Sequence, residues 1–134
     1  MPKYILLLTG MFITLQSPVF ATEVVDTTLQ GYQSQGAGEF SVDAGKTLWN
    51  NEIIHSKSPV TRSCASCHGN DFNTTGKHIK TGKTIKPMSP TANPKRFTDQ
   101  EKIEKWFRRN CKWTWGRECT AQEKGDMLLF LSKQ

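Results

Sequence analysis

The chain lacks a second long apolar run. Beyond Tyr4 to Leu15, nothing in its 134 residues approaches the roughly 20 apolar residues that a membrane-spanning helix needs. It has no internal repeat and no low-complexity segment, which excludes an array of stacked repeats. No βαβ pattern surrounds its cysteines, so a thioredoxin-like C-x-x-C reading has no scaffold. Acidic residues are outnumbered, 12 against 18 Lys and Arg, for a formal net charge of +6. Histidine is scarce, with only His55, His68 and His78 to offer an imidazole.

What is present begins with a leader. Lys3 supplies a charge, an apolar stretch follows, and Val19 and Ala21 occupy the small-residue positions of a cleavage site. The pattern predicts a signal peptide over residues 1–21, cut after Ala21. About a dozen apolar residues suit export and are short for a bilayer. An uncleaved anchor is the alternative, but no basic cluster flanks the stretch. Residues 22–134 suffice for one domain and not two. A core of that size gains from a covalent cofactor or a disulfide. We therefore expect an exported, periplasmic chain with no stable membrane insertion after cleavage. Its basic balance suits an acidic protein partner, and export argues against nucleic acid.

Residues 22–40 read as a polar, Gly-rich lead-in with at most a short helix near Leu29 and Tyr32. A helical pattern begins at Ser41, where Ala44, Leu48 and Trp49 form a face and Gly45 permits close approach of another helix. Asp71 to Arg96 reads as loop, because Pro87, Pro90 and Pro94 interrupt it. So long a loop in a small domain is expected to wrap something. Thr98 and Glu101 form a capping-box pattern opening a helix whose apolar stripe is Ile103, Trp106 and Phe107, with an end near Asn110 or Cys111. Thr120 and Glu123 open a last helix that buries Met127, Leu128, Phe130 and Leu131. The resulting fold class is all-α, with residues 41–134 as the domain.

Cys64-Ala65-Ser66-Cys67-His68 is a C-x-x-C-H haem-attachment pattern. Thiols three residues apart fall on one side of a helical turn, where they can add to two vinyl groups along one haem edge. The adjacent His68 then offers its imidazole to the iron as proximal ligand. Only one such motif occurs, so one haem c is the limit. A four-cysteine zinc site would need Cys111 and Cys119, which lack the short spacing.

The other face of the iron has several candidate ligands. His55, His78, Met88 and Met127 all carry suitable atoms, and Met88 sits between Pro87 and Pro90. Asn110 is three residues after Phe107 and four after Trp106, on their side of a helix. An inward amide needs a partner; equally, an Asn at a helix end serves as a cap.

The runs Lys105-Trp106-Phe107-Arg108-Arg109-Asn110-Cys111 and Gly116-Arg117-Glu118-Cys119-Thr120 resemble the sphaeroides haem protein family. So do Thr81-Gly82-Lys83, Lys86-Pro87 and Pro94-Lys95-Arg96-Phe97-Thr98-Asp99. The likeness runs from about Gly31 to the C-terminus. It implies a class I cytochrome c-like fold wrapped around one covalent haem. It implies that Asn110 is the distal iron ligand, leaving on reduction so that the ferrous iron can bind oxygen or nitric oxide. It also implies a Cys111–Cys119 disulfide and a dihaem cytochrome c as electron donor. Met88 departs from the family pattern, where an aliphatic residue is usual, and so marks the alternative: a plain electron carrier with fixed His68 and Met88 ligation. No catalytic residue is assigned, and reduction of oxygen or nitric oxide stands beside transport, sensing and detoxification as the fate of a bound gas.

A bridge between Cys111 and Cys119 would limit the travel of Asn110. Trp113 and Trp115 could shield the distal face or pack on the last helix. Lys77, Lys80, Lys83 and Lys86, with Lys95 and Arg96, could ring an exposed haem edge and steer an acidic partner.

Overall fold

A computed structural model describes residues 20–54 and 60–134. The leader expected over residues 1–21 lies outside the described residues except for its last two, and His55 lies outside them as well. Among the described residues there are five helices, α1 Phe20–Ser34, α2 Val42–Asn50, α3 Ala65–His68, α4 Gln100–Trp115 and α5 Ala121–Ser132. Two short antiparallel ribbons accompany them: β1 Ile53–Ile54 with β2 Thr61–Arg62, and β3 Gly76–Lys77 with β4 Thr84–Ile85. The class is all-α, as the helical periodicities predict. No described helix is long and apolar enough to cross a membrane.

The frame is the crossing of α2 on α5. Gly45 makes it possible: a Cβ there would run into the Asp126 carbonyl and the Phe130 Cβ, so the close approach read from the sequence is against α5. Ser41 caps α2 by accepting from the Ala44 N–H at 3.2 Å. The Ser41 N–H itself donates to the buried Asp126 carboxylate at 2.8 Å, which satisfies a charge that would otherwise be costly to bury. Helix α5 opens with the expected Thr120–Glu123 capping box and buries Met127, Leu128, Phe130 and Leu131.

Two elements differ from the sequence expectation. A helix of 15 residues, Phe20–Ser34, begins in the last two residues of the expected leader and runs through the lead-in, longer than the short helix expected near Leu29 and Tyr32. Val25, Thr28 and Tyr32 form its buried stripe, and Val25 and Tyr32 pack with Ile103 and Leu128. Thr28 tolerates full burial because its hydroxyl donates to the Val24 carbonyl at 2.7 Å. The Tyr32 hydroxyl donates to Glu104, which also pairs with Lys124 at 2.9 Å, so α1 is stapled to both long helices.

Helix α4 starts and ends later than expected. Phe97 takes a left-handed φ of 58°, and the Thr98 hydroxyl turns back to the Lys95 carbonyl. Asp99 is the N-cap instead, its carboxylate accepting from the Lys102 N–H at 3.0 Å. The helix runs on to Trp115 and stops at Gly116, whose φ of 72° is the left-handed turn that glycine adopts without strain. The expected end at Asn110 or Cys111 is therefore corrected. The stripe is also corrected. Ile103, Phe107, Cys111 and Trp115 follow at four-residue spacing and face the core, whereas Trp106 falls off that row and is 47 % exposed. The Arg109 guanidinium covers its ring, 5.2 Å from the centroid.

Candidate functional site

The motif sits on a single helical turn. Ser63 and Ser66 prepare it reciprocally: each hydroxyl accepts the backbone N–H of the other, at 3.1 Å and 3.0 Å. This is the capping-box logic with serine at both ends, and the S-x-x-S spacing was the signal that could have disclosed it. Gly69, with φ of 71°, closes the turn after His68. Behind it, Gly76 lies so near that a Cβ would strike the Cys67 carbonyl and the His68 Cα. The β3–β4 ribbon is thus pressed against the back of the motif.

Cys64 and Cys67 are free thiols, both half-buried. Cys64 packs against two core clusters, one of Trp49, Phe130 and Leu131 and one of Cys111, Trp115 and Met127. Burial pushes its thiol up to about 12. His68 is held at about 4, first by burial, with the Arg96 guanidinium and the His78 ring adding to the effect. It is therefore a neutral imidazole at pH 7, the form that ligates a metal. Its ring lies 5.3 Å from that of Trp49, whose indole N–H donates to the Gly69 carbonyl at 3.1 Å. The His68 Nδ1 is buried without a hydrogen-bond partner. Two thiols on one turn beside a neutral imidazole whose Nδ1 has no hydrogen-bond partner are a donor set that fits a covalently attached haem.

Asn110 stands in the third turn of α4, so the helix-cap reading is removed. Asn110 is half-buried, and its amide is not among the buried side-chain polar atoms left without a hydrogen-bond partner. It immediately precedes Cys111, which packs in the same cluster as Cys64. Cys111 is joined to Cys119, with Cα atoms 5.7 Å apart. That pairing also removes both residues from a four-cysteine zinc site, and no group of three or more His, Cys, Asp or Glu converges among the described residues.

The remaining candidates separate. Met88 packs against the cluster of Trp49, Phe130 and Leu131, together with Cys64 and Phe72. Met127 is buried with Cys111 and Trp115. Trp115 packs on the last helix, while Trp113 is gripped elsewhere. The Arg62 guanidinium lies 4.2 Å from its ring centroid and donates to its carbonyl at 3.1 Å, and the His78 ring lies 5.1 Å away. Sequence reasoning missed Arg62, because nothing in the local pattern ties it to an indole 51 residues on. Lys77, Lys80, Lys83, Lys86 and Lys95 are exposed. Arg96 is not part of that exposed set. It is half-buried and donates to the Pro87 and Lys86 carbonyls at 2.7 Å and 2.6 Å.

Residues 35–131 match the family described as Domain of unknown function (DUF1924). The chain is 38 % identical over 121 residues to Cytochrome c-type protein SHP of Cereibacter sphaeroides, covering 90 % of this chain and 92 % of that protein. The solved structure of oxidised SHP, described as an oxygen-binding cytochrome c, superposes with a TM-score of 0.73 at 36 % identity, over 82 % of this chain and 96 % of that one. The solution structure of Methylophilus methylotrophus cytochrome c'', described as giving insight into haem-ligand detachment, has a TM-score of 0.68 at 32 % identity, over 85 % and 93 %. By its helical fold, its single C-x-x-C-H turn and this extent of likeness, the chain belongs to the SHP family of c-type cytochromes.

Proposed function

We propose that this protein is an exported, periplasmic single-haem cytochrome that accepts an electron and, on reduction, releases Asn110 so that a diatomic gas can bind. Cys64 and Cys67 carry the haem covalently, and His68 holds the iron from the proximal side. A haem bound here supplies an iron that changes charge by one electron and keeps a sixth position for a ligand. The observation that carries the reading is the place of Asn110 inside α4, half-buried and next to a cysteine that packs with the motif. A neutral amide oxygen is a weak donor that favours the more positive ferric state, so reduction weakens its hold. The Cys111–Cys119 bridge begins at the next residue and limits its travel.

The descriptions of the two relatives, one as oxygen-binding and one by ligand detachment, support this reading. The exposed lysines of the loop are proposed to receive an acidic dihaem cytochrome c donor. The rival is fixed His68–Met88 ligation, favoured by the packing of Met88 in a cluster that includes Cys64. Substitution separates them. Met88→Leu should leave the ferric spectrum nearly unchanged, while Asn110→Ala should give a high-spin or water-ligated ferric haem. A methionine-to-iron absorption band lost only in Met88→Leu would establish the plain electron carrier.

A further inference from the structure

From Lys105 to Lys112, helix α4 carries four exposed cations, Lys105, Arg108, Arg109 and Lys112, and no acid. Lys112 pairs with Glu118 at 3.0 Å. Lys105, Arg108 and Arg109 make no ion pair among the described residues. The acids of α4 stand one turn earlier, at Glu101 and Glu104, and Glu104 is taken by Tyr32 and Lys124. Arg109 is the extreme case. Its helical neighbours three and four residues away are Trp106 and Lys105 on one side, Lys112 and Trp113 on the other. Two are cations and two are indoles, so no acid of its own helix can reach it.

This cluster does not serve the helix. The dipole favours cations only in the last turn, which accounts for Lys112 and not for Lys105 in the second turn. Like charges at three- and four-residue spacing repel: Lys105 with Arg108 and Arg109, and Arg108 with Lys112. A negative partner from outside relieves that repulsion. Trp106 stands in the midst of these charges, 47 % exposed, and is the one aromatic among the exposed large apolar residues. The Arg109 guanidinium stacked on its ring gives a flat pair of indole and cation, the side-chain types that dominate the centres of protein interfaces. The basic loop adjoins the same face: the Lys80 ammonium lies 5.9 Å from the ring centroid of Trp113, one turn beyond Arg109.

We propose that the exposed face of α4 centred on Trp106 and Arg109 is the docking surface for an acidic electron-donor protein, with the Trp106 indole as its anchor. Carboxylates of the donor answer Lys105, Arg108 and Arg109, and the indole loses its remaining water on contact. One electron then passes from the donor to the ferric iron: the donor is oxidised by one electron, the iron becomes ferrous, and no bond forms or breaks between the proteins. The inference deepens the electron-accepting reading above and rests on it. It adds an apolar anchor, whose contribution salt does not screen, to the electrostatic steering of the loop lysines.

The test mixes oxidised holoprotein, without oxygen, with flavodoxin hydroquinone, a small acidic one-electron donor, and follows haem reduction across salt concentrations. Trp106→Ala should lower the second-order rate about tenfold at low and high salt alike, the loss of one anchor residue. Trp106→Phe keeps an aromatic ring and should recover part of it. Arg109→Glu should slow the reaction at low salt and flatten its salt dependence. Lys46→Glu makes the same change of net charge on the exposed side of α2 and should alter the rate less than about twofold. Unaltered rates in Trp106→Ala, or equal effects of Arg109→Glu and Lys46→Glu, would overturn the proposal. Flotation of the wild type with phosphatidylglycerol vesicles, lost in Trp106→Ala while flavodoxin rates stay unmoved, would assign the face to a membrane and overturn it too. A wild type reduced by dithionite but not by flavodoxin overturns this surface alone; one that neither reduces overturns the electron-accepting reading and this one with it.

Discussion

Replacing Gly76 by Ala probes how tightly the motif is held. The added methyl has no free space, because the nearest atoms are the Cys67 carbonyl and the His68 Cα. These are backbone atoms of the haem-attachment turn and cannot swing aside as a flexible side chain would. Overpacking of this kind costs about 1–3 kcal/mol. Gly→Ala also removes unfolded-state freedom, a gain of about 0.4–1 kcal/mol. The net loss is about 1–2 kcal/mol, or on the order of 5–10 °C in Tm for a domain of this size. Gly31 is the internal control. It lies within α1, and a Cβ there meets nothing within 4 Å. Gly31→Ala should stabilise by about 0.5–1 kcal/mol through helix propensity. Thermal unfolding followed by far-ultraviolet dichroism reads both, and the ferric spectrum reads whether His68 has moved. A Gly76→Ala protein that melts at or above the wild-type temperature with an unaltered spectrum would refute the reasoning.

Three further outcomes follow from other parts of the molecule. Cys111 and Cys119 are eight apart in sequence, and opening that loop by Cys119→Ser should cost on the order of 2.5 kcal/mol; peptide mapping without reduction should find the two joined, and two alkylatable thiols would contradict it. The Glu123 carboxyl is held below its ordinary 4.5 by Arg117, with burial opposing and the Thr120 N–H adding. Its folded-state value is depressed, so its stabilisation is full above that ordinary value and is lost as pH falls through the folded one. Glu123→Gln should flatten the acid limb of the stability curve, and an unchanged limb would argue against the Arg117 pairing as its source. Charge reversal at Lys80 and Lys83 should slow electron transfer from an acidic dihaem cytochrome and make its salt dependence shallower; rates indifferent to salt in the wild type would count against the docking loop.

The parts of the fold readable in the sequence were those whose signals are local. The Thr120–Glu123 box, the C-x-x-C-H turn and the Gly45 contact each occupy a few adjacent positions, and each is found where the pattern puts it. Helix α1 was obscured because its stripe mixes Val25 and Tyr32 with Thr28, and its stability comes from packing on Ile103 and Leu128 near the other end of the chain. The α4 cap moved to Asp99 because Phe97 adopts a left-handed turn that no local rule favours. The helix end was legible in Gly116 and was masked by the cysteine beside Asn110. In the site, Cys64, Cys67 and His68 follow from one motif. The grip on Trp113 by Arg62 and His78 does not, since it joins three segments by side chains that only the tertiary fold brings together.

The central claim is that reduction frees a sixth position held by Asn110 in the oxidised state. Rapid mixing of the reduced protein with carbon monoxide tests it most directly. If Asn110 has withdrawn, the rate should rise in proportion to carbon monoxide concentration, with no plateau, and should change little in Asn110→Ala. A slow rate that saturates with carbon monoxide, and becomes fast in Met88→Leu, would mean that a methionine must first dissociate, and would contradict the account.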